Sequence, residues 1–178
     1  MLRNEPYMIE DCLEITEWET PATKYPLIKA GSVEISRINQ KAGYYRMEGV
    51  RGYDYYHHAK KIPVTCLKIG KETVMVDDPL HWIGMQDLAK AMKGKVLIAG
   101  LGLGLILHAL RDNKEVTEIH VIERNKDVIG IMKNNMPKDD RIKIISDDFC
   151  NYIEKIGLNY IGKMYSELVS CQVSISKK

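Results

Sequence analysis

Three glycines at alternate positions after a short apolar run constrain the fold of this chain more than any other feature. The apolar run is Val96–Ala99, and the glycines are Gly100, Gly102 and Gly104. A helical pattern follows, and then a second strand-like run that ends in Glu123. Strand, glycine loop, helix, strand and acid is the order of a nucleotide-binding β-α-β unit, whose glycines let a ligand lie against bare backbone. The acid in this position is suited to accept both hydroxyl groups of a ribose.

The spacing of the glycines distinguishes two classes of nucleotide. A dinucleotide-binding fingerprint, Gly-x-Gly-x-x-Gly, needs its third glycine at position 105 or 107, and leucine stands at both. The Gly-x-Gly-x-Gly found here resembles motif I of the class I S-adenosylmethionine-dependent methyltransferases. The resemblance implies S-adenosylmethionine as the cofactor, bound at the three glycines, with Glu123 holding the ribose hydroxyls. NAD binding is a minor alternative, and a glycine-rich turn that binds nothing is another.

Composition narrows the class of protein. The chain has 178 residues, 45% of them hydrophobic, which is enough to bury a core. Its net charge is +2, so we expect no strong attraction to polyanions. No apolar run is long enough to span a membrane, the acidic N-terminus lacks a signal-peptide core, and the four cysteines form no C-x-x-C pair. These features predict a cytoplasmic protein with reduced thiols and no membrane contact.

The patterns divide the chain into two parts, residues 1–78 and residues 79–178. Residues 1–25 are typical of a helical or irregular lead, and the alternating segments from 27 to 76 predict a small antiparallel β unit. Two of its strands are joined at Gly70-Lys71. Asp77-Asp78-Pro79 then opens a helix, with Asp78 suited to its N-cap and Pro79 to its first turn. The predicted fold is α/β, a Rossmann-like methyltransferase core with a partial parallel sheet, preceded by the small β unit.

A third predicted strand, Arg141–Ile145, leads into two aspartates that are further binding candidates. Ligands collect at the carboxyl ends of parallel strands, where Asp147 and Asp148 stand. By resemblance to the methyltransferases, an acid here contacts the adenine amino group, and Asp148, followed by Phe149, matches its place. The alternative is that either aspartate caps the helix that starts near Cys150.

The segment from Ile62 to Ile153 resembles the spermidine synthase-like branch of the methyltransferase fold. In that branch a small β domain precedes the nucleotide-binding domain, and in its aminopropyltransferases the helix before motif I carries polar residues that face the donor. Gln86 is the candidate on this helix, with His81 and Asp87 as looser counterparts. The family also has a fourth strand ending in Asp or Asn, which orients the acceptor, and none follows Asp148. We therefore expect a core truncated after the third strand, with no assignable catalytic residue.

The predicted function is S-adenosylmethionine-dependent methyl transfer to an unknown acceptor. A spermidine synthase-like aminopropyltransferase is one alternative, and a non-catalytic remnant that keeps the fold for assembly is another. A half-sheet would leave the Val96–Ala99 strand close to an edge with apolar Leu and Ile exposed. Such an edge invites pairing with another chain, which predicts a homodimer or a larger assembly.

A tyrosine-rich segment, residues 43–61, allows three interpretations. By the resemblance to the spermidine synthase-like branch, whose β domain lies there, it could form the acceptor-side wall of the active site. Its aromatic and basic side chains could stack on nucleic-acid bases, whereas a β hairpin with cross-strand tyrosines would have the same composition. The nearly neutral chain favours the hairpin. The five histidines show no metal-ligand spacing, and His57 and His58 would face opposite sides of a strand, so we expect no metal site.

Overall fold

A computed structural model of the chain describes residues 12–46 and 55–157, apart from the side chain of Arg46. Within these ranges the protein has α/β character, with one parallel sheet and two further sheets. The strands are β1 (Cys12–Ile15), β2 (Ile28–Ala30), β3 (Val33–Gln40), β4 (Gly43–Arg46), β5 (Tyr55–His58), β6 (Ile62–Ile69), β7 (Glu72–Val76), β8 (Gly94–Ala99), β9 (Val116–Glu123) and β10 (Ile142–Ser146). The helices are a short 3-10 helix (Pro21–Lys24), α1 (Pro79–Ala91), α2 (Leu105–Leu110), α3 (Lys126–Met132) and α4 (Phe149–Ile156).

The parallel sheet has the strand order β10-β9-β8. In its register Ala99 lies opposite Ile122, and Ser146 lies opposite Glu123, so all three strands end at the same edge. Loops that follow parallel strands meet at this edge, where α/β proteins bind their ligands. The glycine loop, Glu123 and the segment beginning at Asp147 are thus brought to one side of the molecule.

A four-stranded antiparallel sheet, with the order β2-β3-β6-β7, precedes the parallel sheet. The predicted pair of strands joined at Gly70-Lys71 is confirmed as β6 and β7, and Gly70 has the positive φ of 62° that its turn requires. One face of this sheet buries Val33, Ile35 and Leu67 in the same core cluster as the leucines of α2. The main core therefore includes side chains from both sides of the predicted boundary at residue 78.

The third sheet, with the order β1-β5-β4, corrects the prediction for the N-terminal lead. Residues 12–15, predicted to be helical or irregular, form β1, which pairs in parallel with β5. A four-residue strand carries almost no local signal, and its partner lies about 40 residues away in the sequence, so pairing decided its structure. Residues 1–11 lie outside the described part of the chain.

In the described residues, β8 has a hydrogen-bonded neighbour on one side only, namely β9. The prediction that apolar Leu and Ile side chains of this strand are exposed is wrong for Ile98, which is only 4% exposed, and Leu97 is half-buried. Ile98 is covered because it belongs to the main core. None of the helices in the described ranges has the length and apolar composition needed to cross a membrane.

Candidate functional site

The glycine loop that follows β8 has a backbone conformation that L side chains rarely adopt. Gly100, Gly102 and Gly104 have φ angles of 82°, 52° and 64°, all in the left-handed region. The Gly100 N–H donates to the carbonyl of Ile122 on β9 (2.8 Å), and the Gly104 N–H donates to the carbonyl of Leu101 (2.9 Å). The loop therefore needs its three glycines to make this turn, whether or not a ligand lies against it.

The space beside the three glycines differs. A Cβ atom at Gly102 would collide with Met75 Sδ, and one at Gly104 would lie 3.2 Å from Met132 Cε. At Gly100 the nearest atom would be Glu123 Oε2, 4.0 Å away. Methionine side chains thus cover the backbone at the second and third glycines, whereas the first is exposed and a Cβ atom there would only touch Glu123.

Glu123 lies at the end of β9 and holds two backbone amides at this edge of the sheet. Its Oε2 accepts a hydrogen bond from the Leu101 N–H (2.8 Å), and its Oε1 accepts one from the Asn125 N–H (2.7 Å). The carboxylate is only 8% exposed. Because each carboxylate oxygen has two lone pairs, both oxygens keep capacity to accept a further hydrogen bond. Glu123 therefore contacts the glycine loop, as the order of strand, glycine loop, helix, strand and acid predicted.

Met75, on β7, contacts the same loop and was not predicted. The Leu103 N–H donates to Met75 Sδ at an N···S distance of 3.1 Å. The contact joins residues 28 positions apart in the sequence. Since a methionine within a strand pattern carries no signal for what it touches, only the packing of the four-stranded sheet against the loop could have identified it.

Asp147, Asp148 and Phe149 follow β10 at the same edge. Asp148 caps α4, because its Oδ1 accepts from the N–H groups of Cys150 (2.9 Å) and Asn151 (3.3 Å). The capping role predicted as the alternative for these aspartates is confirmed for Asp148.

The remaining residues of this segment are engaged locally. Asp147 accepts from the Asp148 N–H (2.9 Å) and pairs with Lys155 (2.6 Å), and the hydrogen bond from Lys155 holds the pKa of Asp147 below its usual range. Phe149 is half-buried as the first residue of α4. None of the contacts described for these three residues reaches the glycine loop.

The polar residues of α1 lie in different surroundings. Gln86 is exposed and forms no hydrogen bond to a described residue, and Asp87 is exposed and pairs with Lys90 (2.7 Å). At the start of the helix, the predicted cap is confirmed, since Asp78 Oδ1 accepts from the His81 N–H (3.0 Å). Burial lowers the pKa of His81 and raises that of Asp78, because both charged forms lose solvation.

Asp77 is a buried acid that was predicted only as part of a helix start. It has no exposed surface, and its Oδ1 accepts from the Thr65 N–H (2.5 Å) while its Oδ2 accepts from the Thr20 hydroxyl. Burial raises the pKa of this carboxyl. The residue therefore ties the 3-10 helix, which Thr20 caps, to the four-stranded sheet.

A cleft of about 530 Å³ is lined by the 3-10 helix and its flanking residues, by His108 of α2, and by Asn134 and Asn135. The Tyr25 hydroxyl donates to the carbonyl of Leu103 (3.0 Å), and His108 Nε2 lies 2.8 Å from Tyr25 Oη and 3.1 Å from the carbonyl oxygen of Asn135. Burial lowers the pKa of His108 and raises that of Tyr25. These groups satisfy one another, so they support the loop from the side of the cleft.

The tyrosine-rich segment packs as the predicted hairpin where it is described. Tyr45 on β4 stacks on Tyr56 of β5, with ring centroids 5.3 Å apart. His58 is fully buried, whereas His57 lies on the other face, between exposed Tyr44 and Glu14. The prediction that the two histidines face opposite sides is therefore confirmed. Residues 47–54 of this segment lie outside the described ranges.

Across the described residues, no group of three or more His, Cys, Asp or Glu side chains is arranged to hold a metal ion. Models of known protein families match no part of the chain, and no curated protein matches its sequence. The function must therefore be inferred from the site itself. Its elements are a left-handed glycine loop, a carboxylate at the end of the neighbouring strand, and the exposed backbone of Gly100.

Proposed function

We propose that the chain binds S-adenosylmethionine at the glycine loop and transfers its methyl group to an acceptor, on a Rossmann-like methyltransferase core. One observation carries the proposal: Glu123 Oε2 lies 2.8 Å from the Leu101 amide nitrogen, next to the exposed Gly100. The order of parallel strand, glycine loop, helix, strand and acid supports a nucleoside ligand in particular. The resemblance of this glycine pattern to motif I of the methyltransferases favours S-adenosylmethionine over NAD.

The residues at the edge of the sheet fit such a ligand. Glu123 is buried, fixed by two amides and still able to accept hydrogen bonds, so it would hold the ribose hydroxyls without reorganising. Gly100 offers bare backbone for close approach, because no side chain fills the place of its missing Cβ. Asp148 and its neighbours at the end of β10 are the candidates for the adenine amino group.

Little acid–base chemistry is required of the protein. When bound, S-adenosylmethionine supplies an activated methyl group, whose bond to sulfur breaks as its bond to the acceptor forms, with the electron pair returning to sulfur. The chain's contribution is to hold the methyl group and the acceptor in line and to exclude water. A site without an assigned general base is therefore compatible with methyl transfer.

The test is calorimetric titration of S-adenosylhomocysteine into the native chain and into Glu123→Ala. The substitution should weaken binding by about 1–3 kcal/mol, which is roughly fivefold to 150-fold, because the ribose hydroxyls lose a charged acceptor. Glu118→Ala is the matched control, since Glu118 is also on β9 but pairs with Lys95 and Lys143. Unchanged affinity in Glu123→Ala, or no binding to the native chain, would contradict the proposal.

Aminopropyl transfer is the second candidate, because a β sheet contacts the glycine loop through Met75. The spermidine synthase-like branch also places a β domain before its nucleotide-binding domain. Repeating the titration with decarboxylated S-adenosylmethionine separates the two enzymes. Tighter binding of the decarboxylated compound would favour aminopropyl transfer. If none of the compounds bound, a non-catalytic remnant that binds no such ligand would be favoured.

A further inference from the structure

We propose that Met75 is an internal competitor for the ligand site: it occupies the backbone of the glycine loop, and a ligand must displace it. The inference rests on the proposed function and adds a residue that sets the affinity of that site. No feature of the glycine pattern pointed to this residue. It follows from where the four-stranded sheet places one side chain.

The first step is the contact itself. Met75 Sδ accepts the Leu103 N–H at 3.1 Å and also lies against Gly102, where a Cβ atom would collide with it. One thioether thus covers two consecutive residues in the middle of the loop. Bare backbone at Gly102 is therefore occupied by the protein's own side chain, in the place where a ligand would approach.

The second step is the difference in how firmly the two partners are held. The Leu103 side chain has no exposed surface, so the loop is anchored in the core. Met75 is half-buried and packs against the margin of the main core, so its side chain is less enclosed than that of Leu103. A methionine side chain has three rotatable bonds and adapts readily to its surroundings. Displacement is therefore expected to move Met75 and to leave the loop in place.

The third step compares the acceptors that hold the loop amides. Leu101 donates to the carboxylate of Glu123, whereas Leu103 donates to a thioether, which is a much weaker acceptor. A ligand that brings an oxygen acceptor to the Leu103 N–H improves this hydrogen bond. A ligand without such an acceptor would leave a buried N–H unsatisfied. Met75 therefore favours ligands that carry an oxygen acceptor at this end of the loop.

The experiment measures binding of S-adenosylhomocysteine to the native chain, Met75→Ala, Met75→Leu and the control Val74→Ala. Met75→Ala should bind about three- to tenfold more tightly, the range expected when one modest competing hydrogen bond is removed. Met75→Leu, which keeps the volume without a sulfur acceptor, should lie between the native chain and Met75→Ala. Val74→Ala should bind with the affinity of the native chain, since Val74 is exposed and makes no described contact with the glycine loop.

The outcomes separate this proposal from the proposed function. If the native chain binds S-adenosylhomocysteine and Met75→Ala binds it no more tightly, the proposed competition by Met75 is contradicted, while the proposed ligand site is not. If the native chain does not bind S-adenosylhomocysteine, the proposed function fails, and the competition, which rests on it, fails as well.

A second measurement requires no ligand and controls for folding. Hydrogen exchange of the Leu103 amide should be faster in Met75→Ala than in the native chain, while exchange in β9 stays unchanged. Slow Leu103 exchange in that variant would show that the thioether does not hold this amide and would overturn the proposal. Altered exchange throughout β9 would show a general folding defect. In that case the affinity of Met75→Leu for S-adenosylhomocysteine would be the test of the competition.

Discussion

Two buried carboxylates, Asp77 and Glu123, lie at the ends of strands and accept backbone N–H groups, yet they serve different parts of the molecule. Asp77 has no exposed surface, and its described partners, the Thr65 amide and the Thr20 hydroxyl, join separate elements. Glu123 is 8% exposed and lies 4.0 Å from the position that a Cβ atom would take on the exposed Gly100. Burial and hydrogen bonding are therefore common to both acids, and exposed backbone beside the carboxylate is what distinguishes the candidate binding acid from the structural one.

The largest expected effect is on stability at Asp77. Asp77→Ala should lower the free energy of unfolding by about 3 kcal/mol, because it leaves the buried Thr65 N–H and the Thr20 hydroxyl without their acceptor. Urea denaturation measures the change. Asp87→Ala, which removes an exposed aspartate of the same chain, should cost much less. A loss no greater than that of the control would mean that Asp77 does not join these elements.

Glu123→Ala should have a smaller effect on the free energy of unfolding, about 2 kcal/mol. The Leu101 and Asn125 amides lose their acceptor, but this edge of the sheet lies near solvent, which can replace part of the lost hydrogen bonding. The same urea titration compares the two variants directly. If Glu123→Ala were the more destabilising of the two, Glu123 would be the structural acid and the comparison would be reversed.

A pH titration sharpens the assignment of Asp77. Burial raises the folded-state pKa of this carboxyl above its ordinary value of 3.8, so the folded chain binds the proton more tightly than the unfolded chain. Relative to Asp77→Asn, the native chain should therefore lose stability as pH rises from that value through the raised pKa. The difference in the free energy of unfolding between the two proteins cannot change by more than about 1.4 kcal/mol per pH unit, because one proton is involved. Urea denaturation of both proteins at several pH values measures it, and a constant difference would contradict the raised pKa.

Local sequence patterns predicted correctly those elements whose structure depends on residues close together in the chain. The apolar run before Gly100, the turn at Gly70 and the cap at Asp78 each depend on residues within a few positions of one another. Glu123 could be placed beside the glycine loop because consecutive parallel strands end at the same edge of a sheet. The capping of α4 by Asp148 follows from the same short-range chemistry, since its partners are two and three residues away.

Other features depend on contacts that no local pattern contains. The four residues of β1 become a strand only through pairing with β5, and Ile98 is buried only because the core forms around it. The same holds for Asp77, whose bond to Thr20 spans 57 positions in the sequence. Propensity cannot specify such partners, because the same short segment is compatible with several structures until packing selects one.

By itself the sequence determined the glycine loop, the strand and helix around it, and the acid at the next strand end. These follow from backbone sterics and from the alternation of apolar residues, which act over short distances. Only the tertiary structure decided that Met75 covers the loop and that Asp77 is sealed in the interior. Met75 covers the loop because β7 lies against it, and Asp77 is buried because the 3-10 helix packs on β6, so both outcomes depend on contacts between segments far apart in the sequence.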